Sequence, residues 1–140
     1  MTPFGRLLRA FRYDLGLAQG EFARRLGYRQ SYISAIERGG RLPKDEKLVD
    51  AAILALRLDA NSEIKLRQAF RLSQPSELPP PGTPFFAYDL CPQISDVMPK
   101  LTMSDVEAIK TVLAEIQREQ TNRSNDLNLV EHLSKEVCDE

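Results

Sequence analysis

The chain has 140 residues, 42% of them hydrophobic, enough for a modest core but not a large one. No run approaches the roughly 18 apolar residues of a membrane span, and Arg6, Arg9 and Arg12 interrupt the stretch where a cleaved signal peptide would be apolar. The net charge of −1 hides an asymmetry: residues 1–72 hold 14 Lys and Arg against 8 Asp and Glu, whereas residues 73–140 hold 5 against 12.

Pro3 can open a first helix, because its missing N–H costs nothing there. Leu7, Phe11 and Leu15 recur four apart and predict one apolar stripe, ending at Gly16. A short second helix fits Gln19–Leu26, with Phe22, Ala23 and Leu26 inward and Gly27 as its stop. A third fits Gln30–Arg38, stopped by Gly39 and Gly40. After Pro43, Asp45–Leu58 reads as a long apolar helix, and Asn61 or Ser62 starts another that reaches Leu72. No segment of this half alternates with period two for long enough to make a strand.

Residues 73–84 are rich in proline and read as a semi-rigid spacer in extended geometry. The apolar cluster Phe85–Leu90 that follows fits either a strand or a docking segment. Ser104 with Glu107 has the spacing of a capping box, and Val106, Ile109, Leu113 and Ile116 then recur at spacings of three and four. That helix is expected to end near Gln120, to be broken by the polar stretch Asn122–Asn128, and to be followed by a short helix over Leu129–Val137. The chain thus divides into a basic domain (1–72), a linker (73–84) and an acidic segment (85–140). A basic front and an acidic back suit a polyanion-binding domain joined to a segment with another job.

The second and third helices have what a helix-turn-helix needs. Ala23 allows close approach, Gly27 turns the chain, and Phe22, Leu26, Ile33 and Ile36 face inward. At about 100° per residue, Gln30, Ser34, Arg38, Ser31 and Ala35 fall within about 140° of arc on the other side of the third helix. Amides, hydroxyls and a guanidinium are the groups that read base edges in a major groove: Gln suits adenine, Arg suits guanine, and Ser suits several edges. Any solvated helix face also shows such groups, so the wider pattern has to decide.

Gly16-Leu17-Ala18-Gln19, Phe22-Ala23-x-x-Leu26-Gly27, Ile33-Ser34-x-Ile36-Glu37-Arg38-Gly39 and Arg41-x-Pro43 closely resemble the Cro and lambda-repressor-like helix-turn-helix family of transcriptional regulators. The resemblance spans residues 5–58 and implies an all-α fold: a five-helix DNA-binding domain, then the proline-rich linker and a small, mainly helical C-terminal segment. It further implies that Gln19 contacts a phosphate or an outer base, that Gln30, Ser31 and Ser34 read bases, and that Arg41 and Lys44 touch the DNA backbone. Arg12 and Glu37 match an internal salt bridge of relatives and are assigned a structural role.

Three residues depart from the family pattern. Ala18 lacks the side chain that would cap the second helix. Gly20 is a poor helix former, costing about 1 kcal/mol relative to Ala. Arg29 stands where a Ser or Thr would cap the third helix, its charge opposing the helix dipole. A DNA phosphate or guanine would offset that opposition, so Arg29 joins the expected contacts.

Regulators of this kind commonly read two half-sites about 34 Å apart as dimers, and Val106, Ile109, Leu113 and Ile116 offer a seam for a homodimer. The expected function is a repressor or autoregulator bound to an inverted repeat in double-stranded DNA. The alternative is an antitoxin-like protein whose acidic segment neutralises a protein partner. An enzyme is not expected. His132 is the single histidine, and no phosphate loop, metal-ligand spacing or cofactor motif is present. Cys91 and Cys138 lack CxxC spacing and read as free thiols of a reducing cytoplasm.

Overall fold

A computed structural model describes residues 1–136, in two compact units that divide between Glu77 and Leu78. The first unit contains five helices: α1 (Pro3–Asp14), α2 (Gln19–Leu26), α3 (Gln30–Arg38), α4 (Lys47–Leu56) and α5 (Ala60–Ser73). No strand occurs among the described residues, and no helix among them is long and apolar enough to cross a membrane.

Local chemistry sets most of the helix ends. Thr2 caps α1 by accepting a hydrogen bond from the Gly5 N–H at 3.1 Å, and Pro3 occupies the first turn. Gly27 and Gly39 end α2 and α3 in the left-handed region, at φ 78° in both cases. Helix α4 starts two residues later and ends two earlier than the apolar pattern predicts. The Asp45 carboxylate accepts from the Lys47 N–H at 3.1 Å, and Arg57 turns left-handed at φ 49°. Asp59 caps α5 through the Ser62 N–H at 2.7 Å, which moves the start of that helix up to Ala60.

The core is centred on Phe4, Leu8, Phe22, Ile33, Ile36, Leu48, Val49 and Leu66, all fully buried. Here α1 corrects the sequence reading. Its innermost apolar residues are Phe4 and Leu8; Leu7 and Phe11 lie half-buried, and Leu15 is exposed. The reason is that α1 packs against both α3 and α5. Phe4 meets Phe70 of α5 edge-on, with ring centroids 5.5 Å apart, while Gly5 lies against the backbone of α3. Arg67 ties α4 to α5, donating to Glu46, Asp50 and Glu63 at 2.6, 2.9 and 3.1 Å.

The second unit begins in the proline-rich segment. Phe85–Ala87 form a 3-10 turn rather than a strand, followed by a helix the sequence reading did not foresee, α6 (Leu90–Val97). A second 3-10 turn, Met98–Lys100, leads into α7 (Met103–Glu136). The cap of α7 lies two residues upstream of the predicted Ser104–Glu107 box. Thr102 donates its N–H to the Asp105 carboxylate at 2.8 Å, and its hydroxyl accepts from the Asp105 N–H at 3.3 Å.

Helix α7 also runs unbroken through residues 122–128. No Gly or Pro interrupts it, and the Thr121 and Ser124 hydroxyls donate to carbonyls one turn back, each at 3.0 Å, instead of competing with the helix. The expected final helix is therefore the end of α7. Val137 and Cys138 lie outside the described residues. Cys91 is a free, half-buried thiol, and His132 is exposed on α7.

Candidate nucleic-acid interface

Helices α2 and α3 pack through Phe22, Ala23, Leu26, Ile33 and Ile36, all buried, with the left-handed Gly27 reversing the chain between them. This packing leaves the opposite face of α3 uncovered. Gln30, Ser31 and Arg38 are exposed there, and Ser34 and Ala35 are half-buried. The Arg38 Nε donates to the Ser34 carbonyl at 3.3 Å, which lays that side chain back along its own helix. Beside this face Arg29 is exposed at the start of α3, and Arg41 and Lys44 are exposed in the segment between α3 and α4.

Charge pairing distinguishes this side of the motif from its neighbour. On α2, Arg24 and Arg25 are both paired with Glu21, at 2.8 and 3.1 Å. Their hydrogen bonds, Arg24 first, hold the Glu21 carboxyl below the usual carboxylate range. Around α3, the side chains of Arg29, Arg41 and Lys44 make no ion pair among the described residues. Their charge stays available to an external anion.

Behind α3 lies a buried polar relay. Arg12 donates to Glu37 through Nε at 2.7 Å and Nη2 at 3.0 Å, a two-pronged pair almost out of solvent. The bond to Glu37 raises the pKa of Arg12 further, and Arg12 Nη1 also holds the Leu17 carbonyl at 3.1 Å. Gln19 donates its amide to the same carboxylate at 2.9 Å, so Glu37 links α1, α2 and α3. Gln19 therefore sits half-buried at the start of α2 with one amide group already oriented.

Two features escaped sequence reasoning. Tyr28 and Tyr32 stack with centroids 5.3 Å apart and planes 18° from parallel, and the Arg41 guanidinium lies 5.1 Å from the centre of the Tyr32 ring. Tyr28 precedes α3 and lies outside any helix, so the four-residue spacing of the two aromatics carried no helical signal of the contact. Burial, then the Tyr28 phenol, push the Tyr32 hydroxyl up, with Arg41 opposing. Tyr32 is thus a neutral phenol at ordinary pH and does not cancel the charge beside it. The second feature is Gly20: a Cβ there would lie 3.2 Å from Gln30 Oε1. The weak helix former leaves space for the Gln30 side chain.

In the second unit Val106 is half-buried, and Ile109, Leu113 and Ile116 are each about half exposed. Ile109 also borders a cleft with Val97, Lys100 and Leu101. Among the described residues, no group of three or more His, Cys, Asp and Glu is placed to hold a metal ion.

The family model for a helix-turn-helix domain matches residues 3–61, covering the first four helices and stopping short of the second unit. A protein of Bacillus subtilis (strain 168), called an uncharacterized HTH-type transcriptional regulator, YazB, is 47% identical over 49 residues. That stretch is 35% of this chain and 71% of the relative. No solved structure matches the chain.

Proposed function

The chain belongs to the family of helix-turn-helix transcriptional regulators, and from that membership we propose that it is a repressor, its own gene among its targets, that binds an inverted-repeat operator as a dimer. The observation that carries the reading is the ring of cations around the polar face of α3. Gln30, Ser31 and Ser34 read base edges, and Arg38 suits a guanine once it swings off the Ser34 carbonyl. Arg29, Arg41 and Lys44 neutralise phosphates, and Gln19 donates its second amide hydrogen to another.

The stripe on α7 supports dimerisation. In an unbroken helix the spacing of Val106, Ile109, Leu113 and Ile116 continues through Gln120 and Arg123 to Leu127 and Val130. Alternating steps of three and four over that length make a coiled-coil seam, with a polar middle that would set register. Two heptads alone would be too few for a stable pair; the longer helix removes that objection. The very exposed Phe85 and Phe86 favour a second reading, in which this unit also engages a protein partner.

The test is enrichment of random duplex DNA by the full chain and by a variant carrying Ile109→Glu and Leu113→Glu. The full chain should recover an inverted repeat, and the variant a single half-site bound by a monomer. Gln30→Ala should relax one base position, whereas Arg41→Ala should weaken all sequences and lower the salt slope by about 1. Failure of the full chain to enrich any sequence would sink the repressor reading.

A further inference from the structure

We propose that Tyr32, backed by Tyr28, is a positioning residue for DNA binding: its ring holds Arg41 at the mouth of a cleft that seats one phosphodiester strand. The inference rests on the reading of the α3 face as the DNA-binding surface. The cleft, of about 590 Å³, is lined by Gly27, Tyr28, Arg29, Ser31, Tyr32, Ala35 and Arg41, and so includes two guanidiniums that make no ion pair among the described residues.

Arg41 lies in a segment without regular structure, and among the described residues its side chain has no hydrogen bond and no carboxylate. What it has is the Tyr32 face, 5.1 Å from its guanidinium carbon. Tyr32 is in turn stacked on the ring of Tyr28, with planes 18° from parallel. A flexible arginine held on a ring has surrendered much of its rotamer freedom before DNA arrives, so less is lost on binding. A guanidinium stacked on a ring through its flat face keeps its N–H edge for phosphate oxygens. Because the Tyr32 phenol is neutral, the platform adds no competing anion.

A cation–π contact at an exposed site corresponds to about a two- to five-fold change in affinity. Binding of the full chain to the duplex it enriches, and to random duplex, is measured over a series of salt concentrations. Tyr32→Phe keeps the ring and should bind like the unsubstituted chain. Tyr32→Leu should lose about two- to five-fold on both duplexes, and the loss should vanish once Arg41 is alanine. Arg41→Lys keeps the charge but stacks less well, and should weaken binding comparably.

An equal loss from Tyr32→Leu with and without Arg41, or a Tyr32→Phe variant as weak as Tyr32→Leu, overturns the proposal. Should Tyr32→Leu fail to fold, the exposed Arg41→Lys exchange decides alone, and unchanged binding counts against the platform. Unchanged binding on Arg41→Ala, with the unsubstituted chain still selecting an operator, sinks this inference and leaves the function standing. Absence of any duplex binding by the unsubstituted chain removes both.

Discussion

Glu37 accepts two hydrogen bonds from the Arg12 guanidinium, and both side chains are almost completely removed from solvent. The pair joins α1 to α3, and Gln19 of α2 leans on the same carboxylate. Removing either partner strands the other charge in the interior, which costs about 3–5 kcal/mol. Glu37→Ala and Arg12→Ala should each lower unfolding free energy by that order in urea titrations. Arg12→Met combined with Glu37→Leu should recover most of the loss, since neither charge is left behind. Single variants as stable as the parent would show that the pair is far better solvated than its geometry implies.

At Gly5, α1 lies directly on the backbone of α3. A Cβ there would overlap the Ile36 carbonyl oxygen and lie 3.1 Å from the Glu37 carbonyl oxygen, both of them backbone atoms that cannot rotate away. Gly5→Ala should therefore destabilise the domain by about 1–3 kcal/mol through overpacking, despite a gain in helix propensity of about 1 kcal/mol. An alanine variant with a raised melting temperature would contradict the close approach.

Gly20 should behave in the opposite way. Its Cβ would meet only the flexible end of Gln30, at 3.2 Å, so Gly20→Ala should stabilise α2 by up to about 1 kcal/mol. The Gln30 amide must then shift by a few tenths of an ångström, and the base preference at its position should change. Sequence selection by the variant, alongside its melting curve, separates the two effects. A stabilised variant with an unaltered selection profile would mean that Gln30 does not depend on this space.

Asp59 supplies a pH-dependent cap. Its hydrogen bonds with Ser62 hold its carboxyl below the ordinary carboxylate range. A folded pKa below the unfolded one makes the contribution complete above the usual value of about 4 and removes it as pH falls through the folded value. Asp59→Asn keeps an acceptor and removes the titration. The melting-temperature gap between parent and variant should be constant from about pH 7 to 5 and should shift against the parent in stronger acid. A gap that stays flat into strong acid would show that the cap does not titrate.

Much of the first unit was legible because its punctuation is local. Pro3, Gly27 and Gly39 act on backbone angles within a residue or two, so a stretch read in isolation already carries their effect. The inward residues of α2 and α3 were legible for a related reason: in a short amphipathic helix the period of the apolar residues already marks the face that is buried. Arg12 and Glu37 were linked by likeness to a family, since nothing in the spacing of residues 25 apart in sequence brings them together.

What the tertiary structure decided is which of several compatible local patterns survives packing. In α1 the periodicity allowed a stripe through Leu7, Phe11 and Leu15. The presence of α3 and α5 on two sides turned Phe4, Leu8 and Arg12 inward instead. In α7 the polar residues 122–128 were compatible with a break. There packing decided nothing, since residues 122–128 are exposed; local propagation without Gly or Pro carried the helix through them. The stack of Tyr28, Tyr32 and Arg41 joins a turn, a helix and an irregular segment. A sequence determines angles and periods over a few residues, whereas contacts between separate elements depend on how close their backbones come, which at Gly5 is set by the absence of a single carbon.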